Sequence, residues 1–223
     1  LCLTNSIASH LILTSQAARD TDTPDLGYHY APIDFWFTNV AVAATLTLTN
    51  GVVVAATANY GLDAQAAIRS EGSPTSLNRL VNSANVQESP SIAETGSLLQ
   101  INSPTANPGL RFRFTDFSLG LGGVHRTFLN LITNSFADLT LRDCWVCGAD
   151  VSLCPSNTTA VVVGLTNNLF ESSTLNLYHY YYNQNTPISA HAYNNLFRYG
   201  SVQFTYSSGT QNPTWNVKDN LFD

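Results

Sequence analysis

A six-residue motif returns along the C-terminal half, and it restricts the possible folds more than any other feature. Leu-Thr-Asn-Asn-Leu-Phe (165–170), Ala-Tyr-Asn-Asn-Leu-Phe (192–197) and Val-Lys-Asp-Asn-Leu-Phe (217–222) align without gaps. Phe-Thr-Asp-Phe-Ser-Leu (114–119), Leu-Arg-Asp-Cys-Trp-Val (141–146) and Leu-Thr-Asn-Ser-Ile-Ala (3–8) read as degenerate copies. The Asn/Asp column is then Asn5, Asp116, Asp143, Asn167, Asn194 and Asp219, the last five spaced by 27, 24, 27 and 25. Apolar residues precede it at alternate positions: Leu141, Leu139 and Ala137 before Asp143, and Leu165, Val163 and Val161 before Asn167. The same count places Phe114 and Phe112 before Asp116. Period-2 alternation marks a half-buried strand. Eight residues after the column stand Val124, Val151, Leu175 and Val202, the start of a second strand. Ile132–Phe136 imitates the motif within one repeat.

A repeat of 24–27 residues built of strands is too short for a propeller blade and lacks the helices of a helical solenoid. It predicts an all-β fold, a right-handed parallel β-helix with an Asn/Asp ladder. Its coils stack like residue on like residue at ~4.8 Å. Asn suits the recurrent corner because it tolerates left-handed backbone and its amide can bond the amides above and below. Phe170, Phe197 and Phe222 should stack, as should Leu169, Leu196 and Leu221.

Composition agrees. Of the 223 residues 44% are hydrophobic and only 11% charged, with a net charge of −6. Charge is scarce because like charges on adjacent coils repel. An acidic chain with scattered Arg and one Lys, Lys218, is unsuited to nucleic acid, where phosphate neutralisation needs clustered cations. No apolar run reaches the ~18 residues of a membrane-spanning helix. The first residues, Leu1 to Thr14, read as strand, not as a signal peptide. The lack of Met suggests a window on a longer chain carrying further copies of the repeat.

The pattern x-φ-x-[ND]-N-x-φ resembles the coils of right-handed parallel β-helix proteins, the pectate-lyase-like superfamily. Ala-Thr-Leu-Thr-Leu-Thr-Asn-Gly-Val-Val-Val (44–54), Gly61-Leu62 and Ile68-Arg-Ser-Glu-Gly-Ser-Pro74 resemble the opening coils of β-helices in large bacterial exported proteins. Asp25-Leu-Gly-Tyr-His-Tyr30 is similar to the segment that joins successive units of multi-repeat surface proteins. The resemblance implies an extracellular or bacterial cell-surface location. It implies this organisation: 1–18 the last coil of an upstream segment, 19–36 a junction, 37–90 opening coils, 91–109 a lateral loop, and 110–223 stacked coils.

The superfamily hosts enzymes, adhesins and passive scaffolds, so activity must be argued from residues. The Asn-Thr-Asp, Asp-Asp, Gly-His-Gly and Arg-Ile-Lys elements of polygalacturonase-like hydrolases are missing, and Lys218 has no acidic cluster to make a lyase site. Asp116 and Asp143, read as neighbours in one column, could form a carboxylate pair, but a column that is Asn elsewhere reads first as structural corners. Cys144, Cys147 and Cys154 lack a fourth zinc ligand and the helix of a redox C-x-x-C. Small buried or half-buried thiols are expected, with one disulfide as the alternative in an exported chain. Asp20, Asp22 and Asp25 could hold Ca²⁺, although an Asp/Thr-rich turn is the commoner explanation; no other cofactor is expected.

Outward positions carry Tyr178, Tyr180, His191 and Tyr193 beside Asn and Gln. Rings stack on sugar faces and amides bond hydroxyls, so these four are the candidate glycan-facing residues. Ordinary outward strand residues are the competing explanation. The expected function is a non-enzymatic structural or adhesive segment that contacts polysaccharide or cell-surface glycan. The alternative is a polysaccharide lyase or glycoside hydrolase.

Overall fold

The computed structural model describes residues 2–18, 32–83, 97–103, 106–120, 126–132, 135–155, 159–179, 186–206 and 212–223, with backbone only at 57–59 and 126–132. The chain winds in successive coils. The first gives β1 (Cys2–Leu3) and β2 (Leu11–Leu13), the second β3 (Phe35–Val42) and β4 (Leu46–Thr49), the third β5 (Val53–Ala64) and β6 (Ile68–Glu71). Three-stranded coils follow: β7 (Asn78–Asn82), β8 (Ser97–Gln100), β9 (Gly109–Arg113); then β10 (Thr115–Ser118), β11 (Arg126–Ile132), β12 (Asp138–Arg142). Next come β13 (Trp145–Cys147), β14 (Ala149–Cys154), β15 (Val161–Thr166); then β16 (Leu169–Glu171), β17 (Thr174–His179), β18 (Ile188–Tyr193). The last are β19 (Leu196–Arg198), β20 (Ser201–Tyr206), β21 (Thr214–Lys218) and β22 (Leu221–Phe222).

Each strand pairs in parallel with its counterpart one coil away, which makes the fold a parallel β-helix. One wall is an eight-stranded sheet in the order β2-β4-β6-β9-β12-β15-β18-β21. The other two walls share the long β5, whose first half pairs with β7 and whose second half pairs with β8. Residues 2–13 stack directly on the second coil, with Leu3 opposite Phe37 and Leu11 opposite Leu46. Within 91–109, Leu99 sits in β8 between Leu62 and Leu129.

The interior is a set of apolar columns. Along the eight-stranded sheet one column runs Leu46, Ile68, Leu110, Leu139, Val163, Ala190 and Trp215. Burying each large side chain contributes roughly 1.5–3 kcal/mol, and neighbouring coils supply the cover that one coil alone lacks. Phe170, Phe197 and Phe222 do stack, with ring centroids 4.9 and 5.1 Å apart and planes within 13° and 11°. Leu169, Leu196 and Leu221 keep the same register.

The corner column differs from the motif alignment in its first members. Arg113 pairs with Arg142, so Phe114, not Asp116, occupies the place of Asp143, and Asp116 pairs with Trp145. The apolar positions shift likewise, Phe112 standing beside Leu141 and Leu110 beside Leu139. Phe114 keeps the left-handed corner at φ 47° although it is aromatic, and the Arg113 guanidinium lies 4.6 Å over its ring. Asn50, Asp143, Asn167, Asn194 and Asp219 share that conformation, with φ between 54° and 59°. Asn5 is not in this column; it lies between Leu3, opposite Phe37, and Ile7, bridged to Val42, on another wall. Val124 lies outside the described residues, and Leu129 is the partner of Val151.

Two ladders run along this corner. The outer one is exposed: Asn194 Nδ2 donates to Asn167 Oδ1 at 2.8 Å, and Asn167 Nδ2 to Asp143 Oδ1 at 3.1 Å. The inner one uses the next residue of each motif. Asn168 N and Nδ2 both donate to Asn195 Oδ1, and Asn195 N and Nδ2 to Asn220 Oδ1, at 2.9–3.0 Å. The same amides donate to the carbonyls of Leu141, Leu165 and Ala192. Toward the N-terminus the column continues through Cys144, Thr115 and Asn78. There Asn78 Nδ2 donates to Ser70 Oγ, which bonds Thr115 Oγ1. Buried polar groups in an apolar interior must be paired, and this column pairs them.

The four cysteines are unbridged; Cys144 and Cys154 are buried and Cys147 half-buried. Burial, helped by the Asp143 charge and opposed by hydrogen bonds to Thr115 and Arg142, pushes the Cys144 thiol up to about 12, so it is an inert packing group.

Candidate functional site

The outer face of the eight-stranded sheet gathers most of the chemistry. Strand alternation turns every second residue outward, and parallel register lines these residues into columns; one column, of Gly109, Asp138, Val162, Ser189 and Thr214, flanks two others. One runs Thr47, Arg69, Arg111, Thr140, Gly164, His191 and Asn216. The other runs Thr49, Glu71, Arg113, Arg142, Thr166, Tyr193 and Lys218.

At the C-terminal end of this face His191 is the hub. Its Nε2 lies 3.0 Å from Ser189 Oγ, and its Nδ1 lies 3.2 Å from both Tyr193 Oη and Asn216 Nδ2. An amide nitrogen is only a donor, so with this orientation Nδ1 accepts and Nε2 carries the proton. The ring then donates to Ser189 Oγ and cannot serve as its general base, which argues against a catalytic serine here. What the group offers is a half-exposed imidazole and phenol held at fixed angles, their ring centroids 5.9 Å apart. Gly164 precedes His191 in its column and leaves a notch, because an added Cβ would come no nearer than 3.8 Å to Thr140 Oγ1. Half-exposed aromatic rings bordered by Ser and Asn side chains suit a sugar ring.

On the middle strands of this face, β6, β9 and β12, lies a hollow of about 260 Å³ lined by Glu71, Arg111, Phe112, Arg113, Thr140 and Arg142. Arg111 is held by Asp138 through two hydrogen bonds of 2.8 and 2.9 Å, although in register it faces Thr140. Arg113 Nε and Arg142 Nε approach one oxygen, Asp143 Oδ2, at 3.5 and 3.3 Å. The first approach is an ion pair without hydrogen-bond geometry, and Arg113 Nε is buried with no hydrogen-bond partner. Sequence reasoning missed this hollow because the two-residue shift hid that Arg113 and Arg142 are neighbours. The signal was there in four outward arginines at 69, 111, 113 and 142.

The four candidate glycan-facing residues do not form one surface. His191 and Tyr193 meet, whereas the half-buried Tyr178 lies on β17, in a different wall beside Thr205. Tyr180, like Asp20, Asp22 and Asp25, lies outside the described residues. Among the described residues no group of three or more His, Cys, Asp or Glu is arranged to hold a metal ion.

Asp116 and Asp143 do not form a catalytic pair. Asp143 sits at the corner with the two arginines, while Asp116 faces outward from β10 on another wall. There it accepts from Ser118 Oγ at 2.6 Å and lies 3.5 Å from Arg79 Nε. Burial raises its carboxyl above the ordinary value, outweighing Ser118 and Arg79, which lower it.

No protein-family model, no curated protein and no solved structure matches this chain.

Proposed function

We propose that this chain is a non-enzymatic β-helical segment of a large exported surface protein, and that it contacts glycan through the outer face of its eight-stranded sheet. The observation that carries the reading is the Ser189–His191–Tyr193–Asn216 cluster. These side chains fix one another's orientation, and the notch at Gly164 leaves them approachable. A pre-ordered aromatic and amide surface loses little side-chain entropy on binding, the main requirement for weak, multivalent glycan capture. The rigid stack supports it by repeating the same wall along the axis. The donor tautomer of His191 favours a binding role over hydrolysis.

A glycan-array screen tests the reading. Wild type should retain a subset of polysaccharides without turning them over, and the His191→Ala/Tyr193→Ala variant should lose at least tenfold in affinity. Product release from any retained polysaccharide, or an array on which nothing binds, contradicts it.

A further inference from the structure

Resting on that reading, we infer that the arginine hollow selects glycans bearing an anionic group, a uronate carboxylate or a sulfate ester. In register, Arg69 lies beside Arg111 on the adjacent coil, and Arg113 beside Arg142. Adjacent rungs sit ~4.8 Å apart, and like charges directly opposite across strands destabilise a sheet. A chain with only nine cationic side chains places four of them on three adjacent strands, β6, β9 and β12. Local counterions do not balance these four. Asp138 takes Arg111 alone, and Asp143 gives one oxygen to both Arg113 and Arg142. Its other oxygen already accepts from Asn167 Nδ2. Glu71 is the third acid beside them among the described residues, which leaves four arginines against three carboxylates in a molecule of net charge −6.

A guanidinium carries five donors in a rigid fork matched to a planar or tetrahedral oxyanion. Arg113 and Arg142 each approach Asp143 through Nε. Both side chains line the hollow, together with Thr140. An anion seated between them relieves the repulsion and makes bidentate, charge-assisted bonds. The hollow lies on the same face as His191 and Tyr193, with Thr140, Gly164 and Thr166 between them. One glycan strand laid along the axis therefore reaches both, ring on the aromatic end and acid on the basic end.

Calorimetric titration of the full chain with a polyuronate, a sulfated polysaccharide and a neutral glucan tests this, using wild type, R113Q/R142Q and R113K/R142K. The expected result is binding of one or both acidic polymers at least tenfold tighter than the glucan. Whichever acidic polymer binds identifies the charged group. R113Q/R142Q should abolish that preference and flatten the salt dependence, while R113K/R142K keeps part of it through charge alone. Both arginines are about half exposed, so thermal melts should show both variants folded at the titration temperature. Glucan binding as tight as acidic binding, or an unchanged preference in R113Q/R142Q, overturns the inference and leaves the glycan-contacting reading standing. Binding of none of the three polymers overturns both.

Discussion

At the scale of single residues, the Asn-Asn pair divides its work. The first Asn adopts the left-handed corner and lies outside; the second fills the interior. Asn195 is 2% exposed and its Oδ1 accepts from both Asn168 N and Nδ2. Asn195→Ala should therefore cost about 2–4 kcal/mol in urea denaturation, because it strands buried donors and the Leu165 carbonyl. Asn194→Ala should cost about 1 kcal/mol or less, since its amide is exposed and its main contribution is tolerance of φ 55°. Equal losses would refute the division. Asp116 supplies a pH signature. Burial holds its proton in the folded state to higher pH than the ordinary value of 3.8. Above that pH the folded protein binds more protons than the unfolded chain, so stability falls as pH rises through the raised pKa and then levels off. Asp116→Asn should remove this downward component. Denaturation midpoints that track wild type across pH 4–7 would show that Asp116 does not contribute it.

At the scale of strands and corners, stacking makes each coil depend on its neighbours. Phe197 lies between Phe170 and Phe222, so Phe197→Ala should cost about 3–4 kcal/mol. Phe222 is 59% exposed, and Phe222→Ala should cost about 1 kcal/mol or less. Gly148 sits at φ +63°, and a Cβ there would stand 2.4 Å from Gly120 Cα, a backbone atom that cannot swing away. Gly148→Ala should therefore lower the melting temperature by several degrees, more than Gly164→Ala, whose Cβ has room. The three undiluted motifs revealed the stack, the Phe and Leu columns and the corner, because identical residues repeat where identical geometry repeats. The register of β10 was not legible. Phe114 takes a conformation that aromatic residues rarely adopt, and only pairing shows that it replaces Asp. The inner ladder was hidden for a related reason. Its N-terminal members are Cys144, Thr115 and Asn78, which share hydrogen-bonding capacity but no sequence identity.

At the scale of the whole molecule, a parallel β-helix is a rigid rod whose walls carry whatever the outward columns display. The His191–Tyr193 half of the proposed contact was legible, since outward aromatics next to Asn are visible in strand alternation. The arginine half was not, because its meaning lies in which arginines become neighbours across coils, Arg69 beside Arg111 and Arg113 beside Arg142. Tyr178 shows the converse: close to His191 in sequence, it belongs to another wall. The proposed function requires that the eight-stranded face, and not the wall carrying Trp145 and Tyr199, meets the glycan. Hydroxyl-radical footprinting with and without a glycan chosen from the array measures this directly. His191 and Tyr193 should become protected on binding, while Trp145 and Tyr199, 37% and 64% exposed, keep their reactivity. Protection of Trp145 and Tyr199 with His191 and Tyr193 unchanged would contradict the claim.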